Sequence, residues 1–512
     1  MKNAKQKSKL ASVLIIASML AQSMAGISVF AESEAPETTE QQSVVESVAE
    51  TAQPEEEVTA SVADDGVTYT LNSLSDMADL MVSLTYQEYL DRYKEIPDVD
   101  ADTVINIPVD EYNKELSQYP KDEKGVDIPF VITENDSVVI DGEEGIANTI
   151  TTSDEGMVVY DIEIEETAMY SITVDYYPVA GNGSTIERIL LIDNQIPFNE
   201  ARYINFTRVW IDQEDAYYNR TERTFKLDIN KNEMRPVKAE APEWRTQTLT
   251  DSQAFYSDPF KFYLEAGKHT IALRSASEPI KIAGIRLHRA EMLPTYEEYL
   301  AKYENVPEVS KDVKVELHAE TPVKTSEQVI YAMNDRTSAV TKPQSTNTTL
   351  LNTIGGNGGD KWKIPGQWIQ WEFEVPETGL YKIIPRFKQT VNAGLFSSRS
   401  VKIDGEYPFE EAKSLQFNYD SSWQTKPLND GTTEFLFYIE AGKHTLEFEV
   451  VLGEMAGILR EINASNDRLN DYYRKILMIT GTEPDEYTDY EFAKLIPEVL
   501  RGMRSEANLL TE

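Results

Sequence analysis

Two stretches of the chain alternate apolar and polar residues on either side of a glycine. In residues 435–450, FLFYIEAGKHTLEFEV, apolar side chains take every second position before and after Gly442. Successive side chains of a strand point to opposite faces, so this period of two predicts two half-buried strands. Glycine permits the positive φ of a tight turn. Residues 260–274, FKFYLEAGKHTIALR, repeat the pattern. The sequence therefore predicts the same β-hairpin twice.

The duplication extends well beyond this predicted hairpin. ETAMY at 166–170 matches ETGLY at 377–381, and IDNQIPFNEA from Ile192 matches IDGEYPFEEA from Ile403, both 211 residues apart. TYQEYL from Thr85 returns as TYEEYL from Thr295, 210 residues later. Such constant spacing indicates an internal repeat, in which each unit has a short helical lead followed by a β domain.

The patterns predict a mainly β protein with two β-sandwiches, short helical leads and a helical C-terminal segment. Residues 73–94 have helical spacing that Pro97 ends. A second helical pattern follows Asn466, a candidate N-cap. The predicted divisions are a signal peptide 1–31, an acidic disordered linker 32–66, a helical lead 67–125, β-sandwich 126–289, a second lead 290–312, β-sandwich 313–465 and a helical segment 466–512.

The first β domain carries about 36 more residues than its copy, between Ile192 and Tyr263. The extra residues are rich in charges and aromatic rings, and insertions of this kind lie on loops. A functional loop and a long surface loop without a ligand are equally compatible with this composition.

The amino-acid composition limits which binding partners and which cellular location are compatible with this chain. The formal net charge is -40, from 88 acidic and 48 basic residues, which argues against nucleic acid because phosphates require a basic face. Excess carboxylates favour a soluble surface and leave room for a structural calcium ion, while no other cofactor is predicted. Lysines followed by the apolar run from Leu10 predict an export signal cleaved after Ala31, hence a secreted protein. The chain has no cysteine.

We find no catalytic motif, and the protein is predicted not to be an enzyme. The sequence has no His-Glu-x-x-His zinc pattern, no Gly-x-Ser-x-Gly elbow and no phosphate-binding glycine loop. His269 and His444 occupy the same place in the two copies, and His288 ends a predicted strand. A histidine that stabilises a turn or a strand end is the favoured interpretation for all three.

Three tryptophans in polar loops are the candidate binding residues. Sugar rings stack on flat aromatic side chains while polar groups bind their hydroxyls. Trp362 lies in GGNGGDKWKIPGQW, Trp423 in NYDSSWQTKP, and Trp244 in the matching loop EAPEWRTQT of the first copy. For each, covering the edge of a sandwich is the alternative role. Trp371, in WIQWEFEVP, alternates with polar residues and is predicted to be core.

Residues 345–463 contain, in order, the glycine-rich loop at Trp362, then GQWIQW, PETGLY, the loop at Trp423 and EAGKHTL. With this succession of motifs they resemble carbohydrate-binding modules of the galactose-binding-like jelly-roll type. The resemblance implies that Trp362 and Trp423 enclose a sugar between their rings. The asparagine that usually binds ligand in that family has no clear match in AGILREI at 456–462. The first copy matches less well, because ITTSDEGMVVYD from Ile150 has no aromatic residue at the place of Trp362.

A second resemblance rests on a longer succession of segments: residues 174–210, then MRPVKAEAPEW, DPFKFYLEAGKHT and PGQWIQWEFEVP. In this succession the chain is similar to the N-terminal half of large extracellular solute-binding proteins of sugar ABC transporters in Gram-positive bacteria. The similarity implies a secreted or cell-surface, non-catalytic carbohydrate-binding protein. Its expected partners are a glycan or oligosaccharide, and an ABC transporter or a separate solute-binding domain. The alternatives are an adhesion protein with protein-binding jelly rolls, or the accessory region of a polysaccharide-degrading enzyme.

Overall fold

The computed structural model describes residues 59–61, 68–70 and 84–510, apart from residues 141, 214–216, 220, 221, 223, 357, 358, 483 and 486. The chain divides into two units, Met1–Asp79 and Leu80–Glu512. In the first unit, β1 (Thr59–Ser61) pairs antiparallel with β2 (Thr68–Thr70). β1 lies within the predicted disordered linker, where β-branched threonines favour strand. The predicted signal peptide lies outside the described residues.

The second unit contains two β-sandwiches, so the predicted mainly β fold class is confirmed. The elements of the first copy are α1 (Tyr86–Arg92), β3 (Val104–Ile107), β4 (Val131–Ile140), β5 (Glu143–Thr152), β6 (Met157–Ile164), β7 (Ala168–Pro178), β8 (Ile186–Ile192), β9 (Ile204–Phe206), β10 (Trp210–Asp212), β11 (Tyr217–Asn219), β12 (Thr224–Phe225), β13 (Lys238–Glu240), β14 (Arg245–Thr248), β15 (Phe262–Leu264), β16 (Gly267–Ser277) and β17 (Ile280–His288). The first sandwich packs a sheet with the order β14-β7-β17-β5-β4, to which β3 and β15 are attached, against a sheet with the order β6-β16-β8-β9.

The elements of the second copy are α2 (Tyr296–Lys302), β18 (Lys324–Thr325), β19 (Trp368–Val375), β20 (Gly379–Tyr381), β21 (Arg386–Phe387), β22 (Phe396–Ile403), β23 (Leu415–Asn418), β24 (Gln424–Thr425), β25 (Phe437–Ile439) and β26 (Gly442–Val451), followed by the helices α3 (Met455–Thr480), α4 (Phe492–Leu495) and α5 (Pro497–Leu509). The second sandwich has a sheet with the order β18-β19-β26-β22-β23, which faces the shorter pairs β20-β25 and β21-β24 across its core. Trp371 in β19 is 4% exposed, which confirms its predicted core position.

The repeated TYxEYL motif attaches each helical lead to its sandwich. In α1, Thr85 and Glu88 form a capping box. The buried hydroxyl of Tyr86 accepts a hydrogen bond from the Lys261 amide, and that of Tyr89 accepts one from the Tyr263 amide beside it in β15. The second copy repeats every contact, through Thr295, Glu298, Tyr296, Tyr299 and the amides of Leu436 and Tyr438. Within the described residues, the predicted helix 73–94 is therefore the short helix α1, which these hydrogen bonds attach to the sandwich.

The predicted hairpin is wrong in both copies, although each arm is a strand. β25 pairs with β20 in one sheet, whereas β26 pairs with β19 and β22 in the other. The turn at Gly442, with φ of 144°, therefore carries the chain between sheets. β15 and β16 repeat this arrangement around Gly267. Alternation reports which face of a strand is buried, but it contains no information about which strand lies beside it.

The insertion of the first copy joins the two sandwiches instead of forming only a surface loop. β10 pairs with β13 and also with β18, so two strands of the first copy extend the main sheet of the second to seven strands. Beside it, Tyr217 and Phe225 pack on Ala332 and Leu351 of the second copy. Strands from both copies therefore form one continuous sheet.

The second sandwich has no strand equivalent to β17 among its described residues. In the first copy β17 pairs with both β7 and β3. In the second copy the chain after β26 becomes α3, which begins at Met455, so the predicted helix start near Asn466 is wrong. The apolar residues of AGILREI continue the helical spacing of the stretch that follows. The predicted lead 67–125 likewise includes a strand of the sandwich, β3.

As a result, the counterpart of β7 has an open edge. Lys382 and Ile384 form no backbone hydrogen bond within the described part of the chain, and both side chains are exposed. In the first copy the whole of β7 is buried except one residue. Among the described residues, no helix is both long enough and apolar enough to cross a membrane.

Candidate functional site

Trp423 lies on the outer side of the second sandwich, immediately before β24. Because β24 pairs with β21, the indole is placed beside the side chains of that strand. Its Nε1 donates to Asp335 Oδ1 at 3.3 Å and to Thr337 Oγ1 at 3.2 Å. The ring is half-buried, and the guanidinium carbon of Arg386 lies 5.4 Å from its centroid. An aromatic face with polar groups at its edge is the arrangement that a sugar site requires.

The carboxyl of Asp335 is held in its ionised form at this site. Burial alone would raise its pKa, but hydrogen bonds from the Thr337 hydroxyl and amide and from Trp423 outweigh burial and lower the pKa. The charge of Lys388 acts in the same direction. Asp335 is therefore an acceptor at neutral pH, able to orient the indole or a ligand hydroxyl.

Trp362 lies in its glycine-rich loop against the second core rather than beside Trp423. Its Nε1 donates to the Gln367 carbonyl at 3.0 Å, and the guanidinium of Arg399 lies 4.4 Å from its ring centroid. Arg399 also donates to the Trp362 carbonyl, and burial lowers the pKa of Arg399 to about 10. One face of this ring is thus occupied by a cation. Trp362 and Trp423 make no ring contact with each other in the described structure.

Trp244 occupies the matching place in the first sandwich but has different neighbours. It precedes β14, which pairs with β7 as β24 pairs with β21. Its Nε1 donates to the Ser137 carbonyl in β4, and its ring lies 5.5 Å from that of Tyr177. In the second sandwich the described residues between β18 and β19 form no strand like β4. A strand therefore lies against Trp244 but not against Trp423.

A cavity of about 200 Å³ adjoins the β21-β24 pair, which sequence patterns did not reveal. Phe387, Phe417 and Leu428 line it together with the polar side chains of Lys426 and Asn429. The counterpart of Phe387 in the first sandwich is Tyr176, whose hydroxyl donates to the Thr207 carbonyl.

The remaining sequence candidates have structural surroundings. His269 and His444 each bridge a carboxylate and a carbonyl at the turn between sheets. His288 lies between Thr173 and the Arg289 carbonyl at the end of β17. Across the described residues, no group of three or more His, Asp or Glu side chains is arranged to hold a metal ion, so no residues are assigned to calcium.

No protein-family model and no curated protein matches the sequence. Among solved structures, a family 35 carbohydrate binding module from Clostridium thermocellum aligns with 37% of this chain and 99% of its own, at 8% identity and a TM-score of 0.21. A CBM35 from Cellvibrio japonicus Abf62 aligns with 36% and 92%, at 11% identity and a TM-score of 0.18. A module from Cellvibrio mixtus lichenase 5A, solved with cellotriose, aligns with 36% and 98%, at 11% identity and 0.17. Likeness at these TM-scores assigns no function to this chain.

Proposed function

We propose that this protein is a non-catalytic, secreted glycan-binding protein whose second sandwich carries the binding site. The observation that carries the proposal is Trp423, a half-buried indole beside an ionised acceptor, Asp335, on a sheet face without a covering strand. Its ring would stack on a sugar, and Asp335 and Thr337 would take hydroxyls. Trp362, which packs on the second core and has Arg399 on one ring face, is the secondary candidate and would contribute less.

The first sandwich is proposed to bind weakly or not at all. Its Trp244 is half-buried like Trp423, but it donates to the Ser137 carbonyl of β4 and lies against Tyr177, and this neighbouring strand would hinder a ligand from stacking on the ring. The similarity to solute-binding proteins of sugar transporters extends the proposal to a role in extracellular sugar capture beside a transporter. Adhesion through protein-binding jelly rolls is the competing function.

A glycan array followed by isothermal titration calorimetry tests the proposal. The full chain is the right material, because the shared sheet of β10, β13 and β18 would be broken by separating the sandwiches. Stacking on an aromatic ring is worth about 1 kcal/mol or more, so Trp423→Ala is expected to weaken binding about tenfold or more. Trp362→Ala is expected to weaken it less.

Trp244→Ala is the matched control, since it removes the same side chain from the equivalent loop of the other copy. It should leave the affinity unchanged. Circular dichroism must show that each variant keeps its fold. An array without any bound glycan, or a Trp423→Ala variant that binds as well as the parent, would refute the proposal and favour the adhesion alternative.

A further inference from the structure

We propose that the ligand of this site is an anionic saccharide, whose carboxylate or sulfate group is bound by Arg386 and Lys388 beside Trp423. This inference rests on the proposed function and names its substrate class.

Among the described residues, the hydrogen-bond acceptors of Arg386 and Lys388 are hydroxyls, although the chain has 88 acidic and 48 basic residues. The nearby carboxylate of Asp335 interacts with Lys388 through its charge. Arg386 donates only to two hydroxyls, those of Ser338 at 3.0 Å and Thr341 at 3.1 Å. Lys388 donates to the Thr337 hydroxyl at 3.2 Å. Within the described residues neither cation forms an ion pair. Their neighbour on the same strand face, Lys382, is paired with Glu434 at 2.8 Å.

At the equivalent place of the first copy, the described cation is paired with a carboxylate. Arg386 and Lys388 correspond to Asp175 and Tyr177, 211 residues earlier. Asp175 is buried and forms an ion pair with Arg286 of β17 at 2.7 Å. In the second copy the strand equivalent to β17 is absent from the described structure. Where the first copy has an acid beside a covering strand, the second copy has a base and, among its described residues, no such strand.

The geometry suits one anionic group on a stacked sugar. Arg386 begins β21 and donates to Ser338, while Lys388 directly follows β21 and donates to the adjacent Thr337, so both can approach the same substituent. Arg386 lies beside the Trp423 ring, and a guanidinium binds carboxylate or sulfate oxygens through two parallel hydrogen bonds. Asp335 also lies at this site, and its single negative charge offsets only one of the two positive charges of Arg386 and Lys388.

Calorimetry with three oligosaccharides of equal length tests the inference: one of uronic acids, one sulfated and one neutral. We expect the preferred anionic ligand to bind at least tenfold more tightly than the neutral one. The comparison of the two anionic ligands identifies the charged group. Raising the salt concentration should weaken anionic binding and leave neutral binding unchanged, because salt screens exposed charges.

Two variants separate charge recognition from stacking. Arg386→Gln should reduce anionic affinity about tenfold or more and change neutral affinity less than twofold. Lys382→Gln, on the same face but paired with Glu434, is the matched control and should change neither.

If neutral and anionic ligands bind equally and Arg386→Gln has no effect, the inference is overturned while glycan binding stands. If none of the three binds, the proposed function itself fails. Binding of single-stranded DNA as tight as that of the anionic oligosaccharides would also overturn a saccharide ligand, since aromatic and basic groups together bind such strands.

Discussion

We expect the stability of the protein to fall as pH rises, because the two hydrogen bonds of His444 require both of its ring nitrogens to be protonated. Nδ1 lies 2.6 Å from Asp404 Oδ2, and Nε2 lies 2.8 Å from the Glu440 carbonyl. Both neighbours only accept hydrogen bonds, so both ring nitrogens must donate. Burial alone would lower the pKa of His444, but the hydrogen bonds to Asp404 and to the Glu440 carbonyl outweigh it and raise the pKa. His269 has the same arrangement with Asp193 and the Glu265 carbonyl, and its pKa is raised for the same reasons.

The expected contribution follows from this geometry. A hydrogen bond to a charged group is worth about 1.5–3 kcal/mol, but the Asp404 side chain is 51% exposed, which reduces the gain to about 1–2 kcal/mol. The folded-state pKa is raised above the unfolded value of about 6.5. The stabilisation is therefore fully present below a pH of about 6.5 and is lost as pH rises through the folded-state pKa.

Urea unfolding followed by tryptophan fluorescence measures this effect, because four of the six tryptophans, Trp362, Trp368, Trp371 and Trp423, lie in the second sandwich. We expect His444→Gln to lower the free energy of unfolding by about 1–2 kcal/mol at pH 5.5 and by much less at pH 9. Asp404→Asn should reproduce the loss at low pH. An equal loss at both pH values, or none at pH 5.5, would refute the reasoning.

Two further predictions concern the core and the helical lead of the second sandwich. Trp371→Ala should cost about 3–5 kcal/mol, measured by urea unfolding, because it empties a buried ring site and removes the donor to the Ala319 carbonyl. If the folded fraction of the Trp371→Ala variant binds glycan with unchanged affinity, the role of Trp371 is structural and differs from that of Trp423. Tyr299→Phe should cost about 1–3 kcal/mol, because the Tyr438 amide loses its acceptor. Tyr303→Phe, which keeps its stack on Tyr438, is the comparison, and equal losses would contradict the hydrogen-bond argument.

Much of the fold follows from local patterns in the sequence. The inward residues of β19, the capping boxes of α1 and α2 and the turn glycines, Gly267 and Gly442, are all readable without a structure. Each depends on interactions within a few residues, namely strand periodicity, side-chain capping and the φ that a turn requires. The internal repeat also predicted that both copies share one fold.

Only the tertiary structure decided which strands meet. The arms around Gly442 enter opposite sheets, and β10 and β13 cross to the other copy, because strand partners are selected by burial against residues distant in the chain. The candidate site, too, was determined partly by the sequence and partly by the tertiary structure. The sequence placed Trp244 and Trp423 in equivalent polar loops, but which one lies against a strand depends on β4, which has no counterpart among the described residues of the second copy. The unpaired cations beside Trp423 lie 35 to 37 residues away in sequence, and strand pairing brings them to the ring.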